Sequence, residues 1–127
     1  MKPASVVLRP GRERSVGLGH PWLLSGSVER VEGDPAPGDV VQVRSAAGTR
    51  LGTGDWDPVA QIRVRLFAFG KDEVDEDGWL EIAISRALAW RAAHPLLQGT
   101  DSLRLAHAEA DGLPGLTIDR YADWLSV

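Results

Sequence analysis

Gln61-Ile62-Arg63-Val64-Arg65-Leu66-Phe67 alternates apolar and polar residues without a break, placing Ile62, Val64 and Leu66 on one face and Gln61, Arg63 and Arg65 on the other. A period of two is the mark of a half-buried β-strand. Upstream of it, Asp39-Val40-Val41-Gln42-Val43-Arg44 and Arg50-Leu51-Gly52-Thr53-Gly54-Asp55-Trp56 flank Ser45-Ala46-Ala47-Gly48-Thr49, a loop of hairpin length. Gly33-Asp34-Pro35-Ala36-Pro37-Gly38 is a loop by its chemistry, and Ser27 to Val31 before it reads as a strand. Nearer the start, Ser5-Val6-Val7-Leu8 forms a short β-branched run closed by Pro10-Gly11, and Arg12 to Leu18 has room for one or two helical turns. Pro21 then pushes His20 towards extended backbone. Five short strands with one early helical turn predict a small, closed or partly closed β-barrel over residues 1–70.

The composition changes at the acidic run 71–78, where a linker is expected. Residues 79–93 are rich in helix formers, with Leu80, Ala83, Ile84, Ala87, Leu88 and Arg91 at helical spacing, and Pro95 ends the pattern. Acids before the helix and Arg86 and Arg91 towards its end suit the helix dipole. Leu103-Arg104-Leu105-Ala106 and Leu116-Thr117-Ile118-Asp119 read as strands about a Gly/Pro loop, and a further strand begins after Tyr121. The fold class expected is therefore mainly β plus α/β: a barrel over 1–70, then an incomplete strand-helix-strand module over 79–127.

The chain has 127 residues, 43% hydrophobic and 25% charged, which is the profile of an ordinary globular domain or two small modules. No apolar run approaches the ~20 residues that span a bilayer, so no membrane partner is expected and a cytoplasmic location is the default. The absence of cysteine excludes disulfides, thiolate zinc sites and a cysteine nucleophile within these residues. His20, His94 and His107 show no metal-ligand spacing, and no metal is expected. Gly17-Leu18-Gly19 and Gly52-Thr53-Gly54 lack the further glycine and the strand-to-helix setting of a cofactor-phosphate loop. The net charge of -4 is unevenly spread: residues 1–70 hold nine Lys and Arg against seven Asp and Glu, and residues 71–127 five against eleven. A weakly basic module joined to an acidic one hints at a nucleic-acid-facing first half.

Three segments narrow the reading. Gly11-Arg12-Glu13-Arg14-Ser15, then Gly19-His20-Pro21-Trp22 with Ser25-Gly26, and finally Glu109-Ala110-Asp111-Gly112-Leu113-Pro114-Gly115-Leu116-Thr117-Ile118-Asp119-Arg120-Tyr121 closely resemble, in order and spacing, the large-subunit ribosomal RNA cytosine-C5 methyltransferase family. The resemblance implies an N-terminal PUA domain, the opening of a central α/β domain, and a C-terminal Rossmann-like domain binding S-adenosylmethionine that has no counterpart in these residues. It implies ribosomal RNA as partner and leaves a homodimer of the full-length protein open. Methylating C5 of cytosine requires a nucleophile at C6, generally a cysteine thiolate, so this chain is expected to bind and position RNA and to be inactive by itself. A free-standing RNA-binding module and a structural or dimerisation module are the alternatives. Two departures from the family pattern are Leu23-Leu24, where a β-branched residue and phenylalanine are usual, and Ala122, where glycine is usual after the tyrosine.

The candidate RNA-binding residues are Arg9, Arg12, Arg14, His20, Trp22, Arg63 and Arg65. Trp22 and His20 offer stacking and phosphate contact, against the alternative that Pro21 fixes the chain and Trp22 packs as core. Arg9, Arg12 and Arg14 form either a phosphate-contacting cluster or a solvated turn. Arg63 and Arg65 either follow an RNA backbone or pair with acids of a neighbouring strand. Pro21, Asp111, Gly112, Pro114, Gly115, Asp119, Arg120 and Tyr121 are structural-motif candidates: the Asp111 to Gly115 loop as a rigid connector or a face for the catalytic domain, and Asp119 to Tyr121 as local pairs fixing a hairpin. No catalytic or cofactor-binding residue is expected.

Overall fold

The computed structural model describes residues 2–70 and 78–127 and divides into two compact units, Met1–Val74 and Asp75–Val127. The acidic run expected as a linker falls outside the described residues, apart from Gly78 at the head of the following helix.

The first unit is built from strands β1 (Ser5–Leu8), β2 (Trp22–Leu24), β3 (Val28–Glu32), β4 (Val40–Arg44), β5 (Arg50–Trp56) and β6 (Ile62–Phe69), with the one-turn helix α1 (Arg14–Gly17) between β1 and β2. They form one curled six-stranded sheet in the order β2-β6-β5-β4-β1-β3, open between its two edge strands. Its pairs are antiparallel except β1 with β4. The alternation read in the sequence sets the inner face: Val64 and Leu66 are fully buried among Val6, Leu8, Val41, Val43 and Trp56, with Val16 of α1 and Leu23 of β2 closing the core.

The sixth strand, β2, is the element that sequence pattern does not reveal. It is three residues long and follows a proline, so its single inward side chain gives no visible period. Its geometry is nonetheless fixed. Leu66 N–H donates to the Pro21 carbonyl (2.7 Å) and Ser25 N–H to the Gln61 carbonyl (2.8 Å), pinning the strand to β6 just beyond both ends. Leu23 lies opposite Val64 and is 1% exposed. Burying a leucine contributes roughly 1.5–3 kcal/mol, and a one-residue slip would turn Leu23 to solvent, so this register holds.

Strand β5 approaches β6 unusually closely. A Cβ on Gly54 would lie 2.4 Å from the Arg65 carbonyl oxygen and 2.8 Å from the Leu66 Cα, and one on Gly52 would meet the Ala68 carbonyl oxygen at 2.6 Å. The two glycines therefore mark close backbone packing beside a register shift between Thr53 and Gly54. Between them, Thr53 is buried and its Oγ1 has no hydrogen-bond partner among the described residues. Thr53→Val, which keeps the shape and removes the hydroxyl, is expected to stabilise the protein by about 1 kcal/mol, read as a higher urea midpoint at unchanged slope.

The second unit places helix α2 (Trp79–Ala93) against an antiparallel sheet of β7 (Ser102–His107), β8 (Thr117–Tyr121) and β9 (Trp124–Ser126), in the order β7-β8-β9. Ala83, Ala106 and Leu113 are its buried core, with Trp79, Ile84, Leu116 and Ile118 around them. The helix has the expected bounds, but its buried face is narrower than the spacing predicts: Leu80 and Leu88 remain 42% and 41% exposed. The helix packs on β7 and the turn that follows it, and the small residues Ala83 and Ala87 are the ones this contact buries. Arg91 continues their strip four residues on, which puts a charge where burial is costly.

The mainly β architecture with a small helix-and-strand module is thus the fold class expected, with the barrel realised as a curled open sheet. No helix among the described residues is long and apolar enough to cross a membrane.

Candidate nucleic-acid interface

Alternation in β2 turns Leu23 inward and therefore sends Trp22 and Leu24 outward. Trp22 is 41% exposed, which corrects the reading that it packs as core. A buried tryptophan would have needed the inner position that Leu23 takes. The ring borders an open groove of about 530 Å³ whose wall also includes Arg12, Arg14, Leu18, His20 and Leu24. Arg12 and Arg14 come to it because the turn after β1 folds back, Arg12 N–H donating to the Arg9 carbonyl (3.2 Å), and because Arg14 begins α1. His20 is held by its own neighbour: Trp22 N–H donates to His20 Nδ1 (3.1 Å), and the rings meet edge to face at 6.1 Å.

Across the sheet, Trp22 stands opposite Arg65, so both lie on the outer face. The register shift after Leu23 makes Arg63 the extra residue of β6 at this point, and its guanidinium donates to the Pro58 carbonyl. Asp57 lies near both arginines. Its carboxyl is held below the usual range chiefly by the N–H groups of Val59 and Ala60, each 3.0 Å from Oδ1, and to a smaller degree by Arg63 and Arg65. Asp55, opposite Arg65 on β5, is pushed up by burial. Arg9 is exposed in the turn beside the groove, its N–H bound to the carbonyl of groove-lining Ser27 (2.9 Å).

One of the two Gly-x-Gly segments presses its glycines against β6, and the other sits at the end of the single helical turn α1. The described residues contain no cluster of three His, Asp or Glu placed to hold a metal. What the groove offers is an aromatic ring, an imidazole and two guanidinium groups around an open concavity.

A family model described as a PUA-like domain matches residues 6–69, all of this sheet but its first residue. The chain belongs to the PUA-like domain family. Its curated relatives include the ribosomal RNA large subunit methyltransferase I of Shewanella denitrificans, 46% identical over 121 residues, and that of Aeromonas hydrophila, 45% identical over 123 residues. These alignments cover 94% and 96% of this chain but only 30% and 31% of the relatives, so the chain spans about a third of their length. Among solved structures, a candidate SAM-dependent methyltransferase from Streptococcus mutans shares the fold with a TM-score of 0.69 at 20% identity, over 95% of this chain and 31% of that one. The complex of a candidate methyltransferase with SAH gives 0.66 at 22% identity, with the same coverage.

Within the PUA-like unit the structure brings Arg12, Arg14, His20 and Trp22 to one groove, sets Arg65 opposite Trp22 on the outer face, and leaves Arg9 and Arg63 at its margins. Leu18 and Leu24 are groove residues that sequence reasoning missed. The signal for Leu24 was present: once Trp22 faces outward, the residue two places on must as well.

The structural-motif residues of the second unit form a separate arrangement. A 3₁₀ turn over Ala108–Asp111 ends in Gly112 at φ 69°, and the loop closes through Leu113 N–H to the Ala108 carbonyl (2.9 Å) and Ala108 N–H to the Leu116 carbonyl (2.8 Å). Pro114 and Gly115 complete the turn around the buried Leu113. Asp111 receives both guanidinium nitrogens of Arg91, Nη1 to Oδ1 at 2.9 Å and Nη2 to Oδ2 at 2.8 Å, and its Oδ2 also accepts from His107 N–H (2.7 Å). This buried-strip arginine is thereby paired, and the loop is tied to α2. Asp119 pairs with Arg104 across β7 and β8 at 2.8 and 3.1 Å, and Arg120 Nε donates to the Ala122 carbonyl (2.9 Å). Tyr121 faces Trp124 across a two-residue turn in which Ala122 takes φ 52°, a left-handed conformation that glycine would adopt without strain.

Proposed function

We propose that the PUA-like unit binds ribosomal RNA through the Trp22 groove and so serves as the RNA-positioning part of an S-adenosylmethionine-dependent methyltransferase acting on cytosine C5 of large-subunit ribosomal RNA. The observation that carries this reading is the outward Trp22 in a groove walled by Arg12, Arg14 and His20. An unpaired base stacks on an exposed aromatic ring, while guanidinium groups neutralise phosphate; together they suit single-stranded or looped RNA. The names of the relatives support ribosomal RNA as the substrate and S-adenosylmethionine as the methyl donor. The chain by itself supplies no thiolate for attack on C6, and its part is to hold RNA.

Binding of a structured ribosomal RNA segment, measured at about 50 and about 200 mM salt, tests this. Affinity is expected to fall steeply with salt, Trp22→Ala to weaken binding about tenfold at either salt, and the Arg12→Ala/Arg14→Ala pair to lower the salt slope by about two. Affinity indifferent to salt, or unchanged by all three substitutions, overturns the proposal.

A second reading has one observation in its favour. Every residue of β9 is exposed, Trp124 to 78%, and with Tyr121 and Leu125 they leave an apolar edge on the second unit of the kind that packs against protein. If packing against protein were the sole role, replacing Arg12, Arg14, Arg63 and Arg65 by alanine would leave RNA affinity unchanged.

A further inference from the structure

The second unit carries a concavity of its own. It measures about 780 Å³ and lies between α2 and the end of β7, with Arg86, Trp90, Arg104, His107 and the Arg91–Asp111 pair on its walls. Arg86 and Trp90 are four residues apart on the helix and so stand one above the other. Trp90 keeps 59% of its surface exposed, although the Arg91 guanidinium carbon lies 5.5 Å from the ring centre and His94 tilts against it at 5.0 Å. On the strand side, Arg104 is oriented by Asp119 and directs its remaining Nη1 towards His107 Nδ1 (3.1 Å). Three arginines line this space against one aspartate, giving local positive charge in an acidic half of the chain.

The volume suits a nucleotide-sized ligand. An indole 59% exposed asks for a planar aromatic partner, and flanking guanidinium groups ask for an anion. A nucleotide offers both at the spacing of one base and its phosphate. We infer that this concavity is a second RNA contact, in which an unpaired base stacks on Trp90 and its phosphate meets Arg86 and the Arg104 edge. It shares with the reading above the nature of the ligand but none of its residues, so the two can fail separately.

The test uses the whole 127-residue chain and a fluorescent single-stranded oligoribonucleotide of about eight nucleotides, within the site sizes of single-strand binders. Trp90→Ala is expected to weaken binding about tenfold, Arg86→Ala about threefold, and Trp90→Phe less than twofold, because phenylalanine retains a stacking face. Photo-crosslinking with a thiouridine-bearing strand should place adducts on α2 or β7. If Trp90→Ala matches wild type and adducts fall only within residues 2–70, the second contact does not exist, and the groove at Trp22 stands untouched. If adenosine monophosphate binds as tightly as the oligonucleotide, the site serves a free nucleotide and the RNA assignment is overturned. Displacement of the strand by an acidic peptide at equal concentration overturns it likewise.

Discussion

Gly54→Ala is expected to lower the melting temperature of the PUA-like unit by more than about 10 °C, a loss of about 3 kcal/mol in a sheet of this size. The added carbon would stand 2.4 Å from the Arg65 carbonyl oxygen and 2.7 Å from its carbonyl carbon. Those are backbone atoms, which cannot turn aside as a side-chain tip can. Relief requires β5 and β6 to separate, and with them the register that sets Leu23 against Val64 and Trp22 against Arg65. Valine at the same place should prevent folding of the unit. Gly17→Ala is the matching control: nothing lies within 4 Å of its added carbon and it sits in α1, so it should be neutral or stabilising. Thermal denaturation followed by circular dichroism separates the two, and equal stability of Gly54→Ala and wild type would contradict the close approach.

Asp111→Ala is expected to cost the second unit on the order of 3 kcal/mol, because it strands Arg91 on the buried strip of α2 with its carboxylate partner gone. Hydrogen exchange of the α2 and β7 amides should quicken about a hundredfold, which is that energy at about 1.4 kcal/mol per decade. The same pair gives a pH dependence. Hydrogen bonds from Arg91 hold the Asp111 carboxyl below its ordinary value, with burial opposing and His107 N–H assisting. A carboxyl depressed in the folded state contributes stability that is fully present above its unfolded value near ~3.9 and is lost as pH falls through the lower folded value. Wild-type protection should therefore decline as the solution is acidified below about pH 4, whereas Asp111→Asn should lack that part of the decline. An identical acid profile for the two proteins would remove Asp111 from this role.

Period and turn chemistry made most of the elements legible. The alternation of Ile62 to Leu66, the hairpin around Gly48 and the helix from Trp79 to Ala93 are local patterns, and local patterns are written in the chain. What was hidden depended on partners. Strand β2 exists because β6 accepts it, and no three-residue segment after a proline announces that. Leu80 and Leu88 share a helical face with Ala83 and Ala87 in the sequence, yet which part of that face is covered depends on what packs against it. Of the site, the arginines and His20 could be named from their clustering, but whether Trp22 faced core or solvent followed only from the register of Leu23. Arg91 was counted among the helical-spacing residues, and its union with Asp111, twenty residues away, had no signal in either segment.

Strand β2 separates two kinds of information at adjacent positions. Leu23 alone among its three residues is buried, and Pro21 and Ser25 hold its ends through backbone atoms that any substitution at Trp22 or Leu24 leaves in place. The outward surface of β2 can therefore change its chemistry, residue by residue, without passing through an unfolded intermediate sequence. Under the proposed function, a lineage carrying this sheet is free to trade one RNA target for another while its scaffold stays under unbroken selection.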